Sequence, residues 1–358
     1  MYQFDRKQQI ISIEGIIYSA KDFESIDLSK GVSFRKDLHE FLHDWFSDSS
    51  ILTVQTSGST GTPKKMQVEK DKMMQSAQMT CSYLGLRKGD KALLCMDLKY
   101  IGAKMVVVRS LIAGLDLYIT PPSGNPLKED ATEYDFAAMV PLQVFNSLQN
   151  PIEKRRLSRI KHLIIGGGAI DSQMAEEIKG FPHNVYSTYG MTETLSHIAL
   201  RKLNGEGASD RYYPFPSVSL SISADQTLTI HAPLVSDEIL QTNDIAEIFD
   251  DSSFRIIGRK DNIINSGGVK IQIEEVETLL RHSISGNFAI SSLPDPKFGE
   301  IVVLAMERNA SIDTLHIETT LPPYFIPKKI ITIDAIPLTE NGKISRVLLK
   351  ELLINLDR

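Results

Sequence analysis

Between residue 51 and about residue 190 the chain alternates short apolar runs with stretches whose apolar residues recur at helical spacing. "ILTVQ" (51–55) reads as a strand, and Met73, Ala77, Cys81 and Leu84 then share one face of a helix. "KALLCM", "LDLYIT", "FAAMV", "HLIIGG" and "NVYSTYG" read as further strands. Strands that alternate with helices build an α/β layer, with helices packed on a parallel sheet. At 358 residues the chain also exceeds what one core ordinarily serves, which predicts two domains.

The texture changes after residue 214. "VSLSISADQTLTIHA" alternates apolar and polar residues on both sides of a polar turn, the pattern of a hairpin, and "IAEIFDDSSFRIIG" repeats it. These hairpins predict a β subdomain that completes a large domain over residues 1–258. "GRKDNIINSGGVKIQIEEVETLLRH" then runs from polar residues through Gly267 and Gly268 into a helix over about 273–282. The remaining chain mixes both periodicities, which predicts a small separate α+β domain over 259–358. No Pro or Ser run marks the boundary near Gly258–Asp261, so a compact hinge is expected there.

A hydrophobic content of 42% and a charged content of 23% are those of a soluble globular protein. The net charge of −6 argues against a basic surface for nucleic acid or for anionic lipid. Two cysteines, Cys81 and Cys95, lack metal-ligand spacing and sit in apolar company, so they read as buried thiols. "MYQFDRKQQI" has no signal-peptide core, and "MVVVRSLIAGLDLYIT" is broken by Arg109 and Asp116. A cytoplasmic protein with no integral membrane segment is the expectation.

Several short stretches carry chemistry. "TSGSTGTPKK" (56–65) follows the first strand. Its glycines let the backbone approach an anion, Ser57, Ser59, Thr60 and Thr62 supply hydroxyls, and Lys64 supplies charge. It is not the common nucleotide loop, because Pro63 stands where the second glycine would fall. "STYGMTETLSH" (187–197) lies after a strand, at the edge where α/β sheets bind ligands. Thr192 suits a phosphate and Glu193 suits Mg²⁺, which takes oxygen ligands and often few carboxylates. A helix start capped by threonine is the ordinary alternative. "IIGGGAI" (164–170) leaves room for a flat ring, although a glycine turn needs no ligand. Asp244 in "QTNDIAEI" suits ribose hydroxyls, or a turn. Arg259 in "GRKD" and Lys343 in "PLTENGKISR" are, taken singly, ordinary solvated cations.

In this order, "TSGSTGTPK", "YGMTET", "GRKDNIINSGGVKI" and "NGKISR" resemble the motifs of the adenylate-forming superfamily: acyl-CoA ligases, firefly luciferases and nonribosomal-peptide adenylation domains. The resemblance spans about residues 51–350. It implies ATP, Mg²⁺, coenzyme A and a carboxylic acid, which is first joined to AMP with release of pyrophosphate and then passed to the CoA thiol. It implies that Thr56, Ser57, Gly58, Ser59, Thr60, Gly61 and Lys64 hold the β- and γ-phosphates. Thr192 would touch the α-phosphate and Glu193 would bind Mg²⁺. Gly167, Gly168, Ala169, Tyr189 and Gly190 would flank the adenine, and Asp244 and Arg259 would hold the ribose. Lys343 would bridge carboxylate and α-phosphate during adenylation. A swing about Asp261 would then remove it, and Gly267 and Gly268 would line the thiol tunnel. Three features depart from the family pattern. Asn243 replaces a glycine beside Asp244, Tyr100 stands where many relatives have His, and about 50 residues precede the phosphate stretch.

Within the family, the short first region and "GMTETLSHIALR" resemble the o-succinylbenzoate–CoA ligases of menaquinone synthesis. Such an acid carries a second carboxylate that does not react, and a cation must meet it, since burying it unpaired is costly. Arg109 and Lys104 are the candidate cations, and Tyr100, Ser196 and His197 the other candidate lining residues. A ligase for another aryl or fatty acid, or a nucleotide-binding regulatory protein that keeps the fold, are the alternatives.

Overall fold

The computed structural model describes residues 2–22, 32–55, 65–129, 132–170, 172–281, 283–312, 317, 321–339 and 344–357. The chain divides into two compact units. One comprises Met1–Ser219, Ile230–Leu240 and Asp250–Ser253; the other comprises Leu220–Thr229, Gln241–Phe249 and Phe254–Arg358.

The first unit is built on a nine-stranded sheet. Its centre is six parallel strands, in the order Asn184–Gly190, His162–Ile165, Phe136–Met139, Lys91–Leu94, Asp116–Ile119 and Ile10–Ile13. Antiparallel strands close both edges: His197–Lys202 with Tyr213–Pro214 on one side and Ile16–Ser19 on the other. The central strands read as unbroken apolar runs because both of their faces are covered. All four residues of Phe136–Met139 are buried, as are Leu93, Leu163, Ile165 and Val185 beside them. Helices Lys70–Leu84 and Ile101–Ala113 each stop at a left-handed glycine, Gly85 and Gly114 (φ 69° in both), which no residue with a Cβ adopts cheaply.

Lys91–Leu94 is paired on one side with the strand that follows it and on the other with the strand after that. The chain thus reverses direction across the sheet at this point. Such a switch opens a crevice at the carboxyl ends of the strands, where α/β sheets take ligands.

One expectation is corrected. "ILTVQ" does form a strand, Ile51–Gln55, but it does not join the parallel sheet. It pairs antiparallel with Lys65–Glu69 in a two-stranded hairpin. Its alternating burial, with Leu52 and Val54 inward, suits a strand covered on one face.

The two hairpins expected after residue 214 lie side by side in one four-stranded sheet: Ser219–Ile222, Thr227–His231, Leu240–Ile248 and Phe254–Arg259. The rest of the second unit is a five-stranded sheet with helices Ile273–Leu280 and Arg346–Leu356. Strand Gly299–Glu307 explains the layering. Val302, Leu304 and Met306 pack in one cluster with Val276 and Leu280 of the first helix. Ile301, Val303 and Ala305 pack in another with Leu349 and Leu353 of the second. Period-two alternation with both faces apolar therefore makes this sheet the middle layer of an α+β unit. Among the described residues no helix is long and apolar enough to cross a membrane.

Candidate active site

In the first unit the carboxyl ends of neighbouring strands present the stretches singled out above. Tyr100 begins the helix that follows Lys91–Leu94, and its backbone forms a parallel bridge with Gln55, the last residue before the phosphate stretch. The Gly166–Ala169 turn follows His162–Ile165, and Gly190–Glu193 closes Asn184–Gly190. Thr56, Ser57, Gly58, Ser59, Thr60, Gly61 and Lys64 lie outside the described residues, but the strands that flank them are paired, Gln55 with Lys65.

The glycines at these ends answer to contacts. A Cβ at Gly166 would collide with the Thr188 hydroxyl, and Gly167 is left-handed with φ 81°. A Cβ at Gly190 would overlap the Ser196 carbonyl oxygen and the His197 Cα. The chain reverses between those points in a single turn of 3₁₀ helix, Thr192–Thr194. The threonine that fixes this turn is Thr194: its hydroxyl accepts from the Met191 amide at 2.9 Å and lies 2.7 Å from the Ser196 carbonyl. Leu195 follows with φ 65°, a left-handed conformation that costs a residue with a side chain about 1–3 kcal/mol. The turn thus leaves Thr192 and Glu193 half-exposed and Thr194 and Leu195 buried.

Tyr189 packs edge-tilted on Tyr212, with ring centroids 5.8 Å apart. The Tyr212 hydroxyl lies 2.8 Å from that of buried Ser187, and the Arg201 guanidinium sits over the Tyr212 ring at 5.3 Å. Tyr212 and Ser187 were not singled out in the sequence.

Behind the turn, Arg109, Ser196 and His197 come together. Arg109 is 1% exposed, and one of its terminal nitrogens donates to the Ser196 hydroxyl at 2.8 Å. Its face lies toward the Phe136 ring at 5.9 Å, and its Nε has no partner among the described residues. Among the described residues no carboxylate neutralises it. Burial pushes its pKa down to about 10. The Ser196 hydroxyl is 3.2 Å from His197 Nδ1, and His197 Nε2 is 3.0 Å from the Thr80 hydroxyl. Burial, then the Arg109 charge, hold the His197 pKa well below its ordinary value, so the ring is neutral. Thr80 carries no sequence signal, because it falls on the apolar face of a helix like any core residue.

Lys104, the other candidate cation, does not join this group. Five residues before Arg109 on the same helix, it points elsewhere and lays its ammonium over the Phe41 ring at 5.2 Å. Burial lowers its pKa, against the pull of Asp44, Asp97 and Asp37. The Tyr100 ring lies under the Lys99 ammonium at 4.9 Å. Cys81 and Cys95 are free and fully buried, and burial raises both thiols to about 12. Residues 153–162 read EKRRLSRIKH, and three of these cations are paired with acids: Lys154 with Glu177, Arg159 with Glu133 and Lys161 with Asp135.

In the second unit Asp244 and Arg259 face each other across the Leu240–Ile248 and Phe254–Arg259 strands and pair at 2.9 Å. The other end of the same guanidinium meets Asp261 at 2.7 Å, and Asn243 donates to that carboxylate at 3.2 Å. Burial opposes the Arg259 charge, but Asp261 and Asp244 outweigh it and raise its pKa. Gly267 and Gly268 form the two-residue turn between Ile263–Ser266 and Val269–Gln272, with φ 58° and 84°. That hairpin turn by itself requires glycine-like conformations at both positions. Lys343 lies outside the described residues; the bridge between Leu338 and Ile344 brackets its segment.

Among the described residues no three His, Cys, Asp or Glu side chains gather as a metal cage. A single half-exposed carboxylate such as Glu193 fits an ion that takes its remaining oxygens from phosphates and water, as Mg²⁺ does.

The profile of the AMP-binding enzyme family matches residues 5–234. The 2-succinylbenzoate–CoA ligase of Bacillus cereus is 24% identical over 98% of this chain and 80% of its own length. A solved structure of an acyl-CoA synthetase (AMP-forming)/AMP-acid ligase II-like protein from Dyadobacter fermentans is 31% identical. It covers 94% of this chain and 99% of that one with a TM-score of 0.64. The o-succinylbenzoate coenzyme A synthetase of Bacillus subtilis, solved with ATP and magnesium, shares the fold (TM-score 0.69). It is 22% identical over 83% of this chain and 69% of that one. The chain belongs to the AMP-binding, adenylate-forming enzyme family.

Proposed function

We propose that this adenylate-forming enzyme is an acid–CoA ligase whose acid is o-succinylbenzoate. The observation that carries the choice of acid is Arg109: a buried guanidinium with no carboxylate partner among the described residues, on the helix that follows a switch-point strand. A buried cation of this kind is costly unless an anion meets it. The ring carboxylate of o-succinylbenzoate supplies one, and curated relatives of the chain are named for that acid.

The reactive carboxylate attacks the α-phosphate of ATP in line, and pyrophosphate leaves. Two anions must meet, so the site has to supply positive charge and firm positioning. In this reading the 56–64 stretch takes the β- and γ-phosphates, Thr192 the α-phosphate, and Glu193 holds Mg²⁺, which neutralises the triphosphate. Gly167, Gly168, Ala169, Tyr189 and Gly190 receive the adenine, and Asp244 and Arg259 the ribose hydroxyls. Lys343 steadies the charge that develops between carboxylate and phosphate. Residues 1–258 are then the large domain and 259–358 the small one, which turns about Asp261 so that the CoA thiol can attack the mixed anhydride beside Gly267 and Gly268.

Acid-dependent exchange of pyrophosphate into ATP, run over a panel of aryl, fatty and dicarboxylic acids, tests the proposal. Exchange should be fastest with o-succinylbenzoate and should be lost in Lys343→Ala. Faster exchange with an acid that has one carboxylate would refute the acid; no exchange with any acid would refute ligation. The tunnel role needs a variant that respects the hairpin turn. Gly268→Asn keeps a left-handed turn while adding a side chain, and it should slow CoA acylation several-fold without slowing exchange. Equal CoA turnover would leave the glycines with their turn alone.

A further inference from the structure

The groups around Arg109 form a directed chain of hydrogen bonds. Arg109 donates to the Ser196 hydroxyl at 2.8 Å. With that lone pair taken, the serine proton points to His197 Nδ1 at 3.2 Å. The imidazole then carries its proton on Nε2 and gives it to the Thr80 hydroxyl at 3.0 Å. Thr80 in turn points back along its helix to the Ser76 carbonyl at 3.3 Å. Every hydroxyl in this direction donates once and accepts once. The reverse tautomer would make Ser196 accept from both Arg109 and His197 and would turn the Thr80 proton away from the Ser76 carbonyl. Phe215 braces the His197 ring at a centroid distance of 5.6 Å, so the ring cannot swing to another partner without opening the core.

We propose that Thr80 and His197 are positioning residues that act through Arg109: the chain anchored on the helix at Ser76 fixes the Ser196 hydroxyl, holds one terminal nitrogen of the guanidinium, and so presents its unpaired Nε–H to a substrate carboxylate. The inference rests on the reading of Arg109 as the cation for the acid's non-reacting carboxylate. It assigns a role to Thr80, which lies 117 residues from His197 in the chain. It also gives His197 a function that requires it to stay neutral. A second positive charge beside Arg109 would remove the serine proton's acceptor.

Thr80→Val is nearly isosteric and removes the hydroxyl. In pyrophosphate exchange it should raise KM for o-succinylbenzoate roughly tenfold with kcat within twofold, about the worth of one buried hydrogen bond. KM for a neutral aryl acid should stay unchanged, and Thr80→Ser should restore the wild-type value. In an Arg109→Met background Thr80→Val should add no further loss. Equal KM shifts for charged and neutral acids, or full additivity with Arg109→Met, would overturn the proposal, because a merely structural threonine acts on both acids alike. If Thr80→Val fails to fold, His197→Asn takes its place in the same cycle. The direction of the chain has its own readout, independent of which acid is used. Nitrogen-15 spectra of histidine-labelled wild type should show His197 as the neutral Nε2–H tautomer, and the Nδ1–H form would refute the relay while leaving the choice of acid to the exchange panel.

Discussion

Arg109 and Arg259 carry the same group under opposite conditions. Arg259 spans two carboxylates, with Asp244 at 2.9 Å and Asp261 at 2.7 Å, and its pKa is held up by them. Arg109 has a serine hydroxyl on one nitrogen, none of the described side chains on its Nε, and a pKa brought down to about 10 by burial. Charge on Arg259 is already balanced in the free protein, so a ligand there exchanges hydrogen bonds. Charge on Arg109 is balanced by no carboxylate among the described residues, so an anion that reaches it relieves a standing penalty. The contrast separates a residue that organises its neighbours from one that awaits a partner.

The largest expected effect tests that difference directly. Arg109→Met should raise KM for o-succinylbenzoate by roughly 10²-fold, as truncating one partner of a buried charge pair does. It should also raise the thermal midpoint of the free protein, because a buried unpaired charge is removed from the core. A lower midpoint with unchanged KM would show that Arg109 is a structural cation after all.

Acid sharpens the comparison next. His197, beside Arg109, has a folded pKa well below its ordinary 6.5. The unfolded chain therefore binds a proton in the window below 6.5 that the folded chain does not. Stability from this group is complete above that value and is lost as pH falls beneath it, by up to about 2 kcal/mol on reaching pH 5. Urea unfolding at pH 7.5 and pH 5 should show this loss in the wild type and a smaller one in His197→Gln. Equal slopes would mean that the imidazole reaches water.

Arg259→Met comes third. With the cation shared by Asp244 and Asp261 removed, the site should bind ATP about tenfold more weakly, the worth of one charged hydrogen bond. The thermal midpoint should not rise, because no unpaired buried charge has been removed. A rise like that expected for Arg109→Met would erase the distinction between the two arginines. The smallest effect belongs to Asn243→Gly, which removes one exposed bond to Asp261. Calorimetry should find a change within about 0.5 kcal/mol, and a larger one would show that Asn243, rather than Arg259, holds Asp261.

Much of the architecture was legible along the chain for a local reason. Phe136–Met139 and His162–Ile165 are strands whose burial on both faces demands unbroken apolar runs, and such runs can be read without knowing the partner. The hairpin turned by Gly267 and Gly268 was not read, because the glycines alone do not say that Ile263–Ser266 and Val269–Gln272 pair across them. Pairing was hidden elsewhere too: Ile51–Gln55 was read correctly as a strand and wrongly as part of the layer, because its own residues do not say which strand it meets. Lys104 and Arg109 looked equivalent as cations, and only helix phase and neighbours separate them.

By itself the sequence determined the layered class, the order of the nucleotide motifs and the family they imply, because spacing, turn chemistry and apolar period are properties of adjacent residues. Tertiary structure decided which arginine is left without an acid, which histidine is kept neutral, and that Thr80 stands at the end of their hydrogen-bond chain. Burial and partnership are sums over side chains distant along the polymer, and they exist only once the layers have closed.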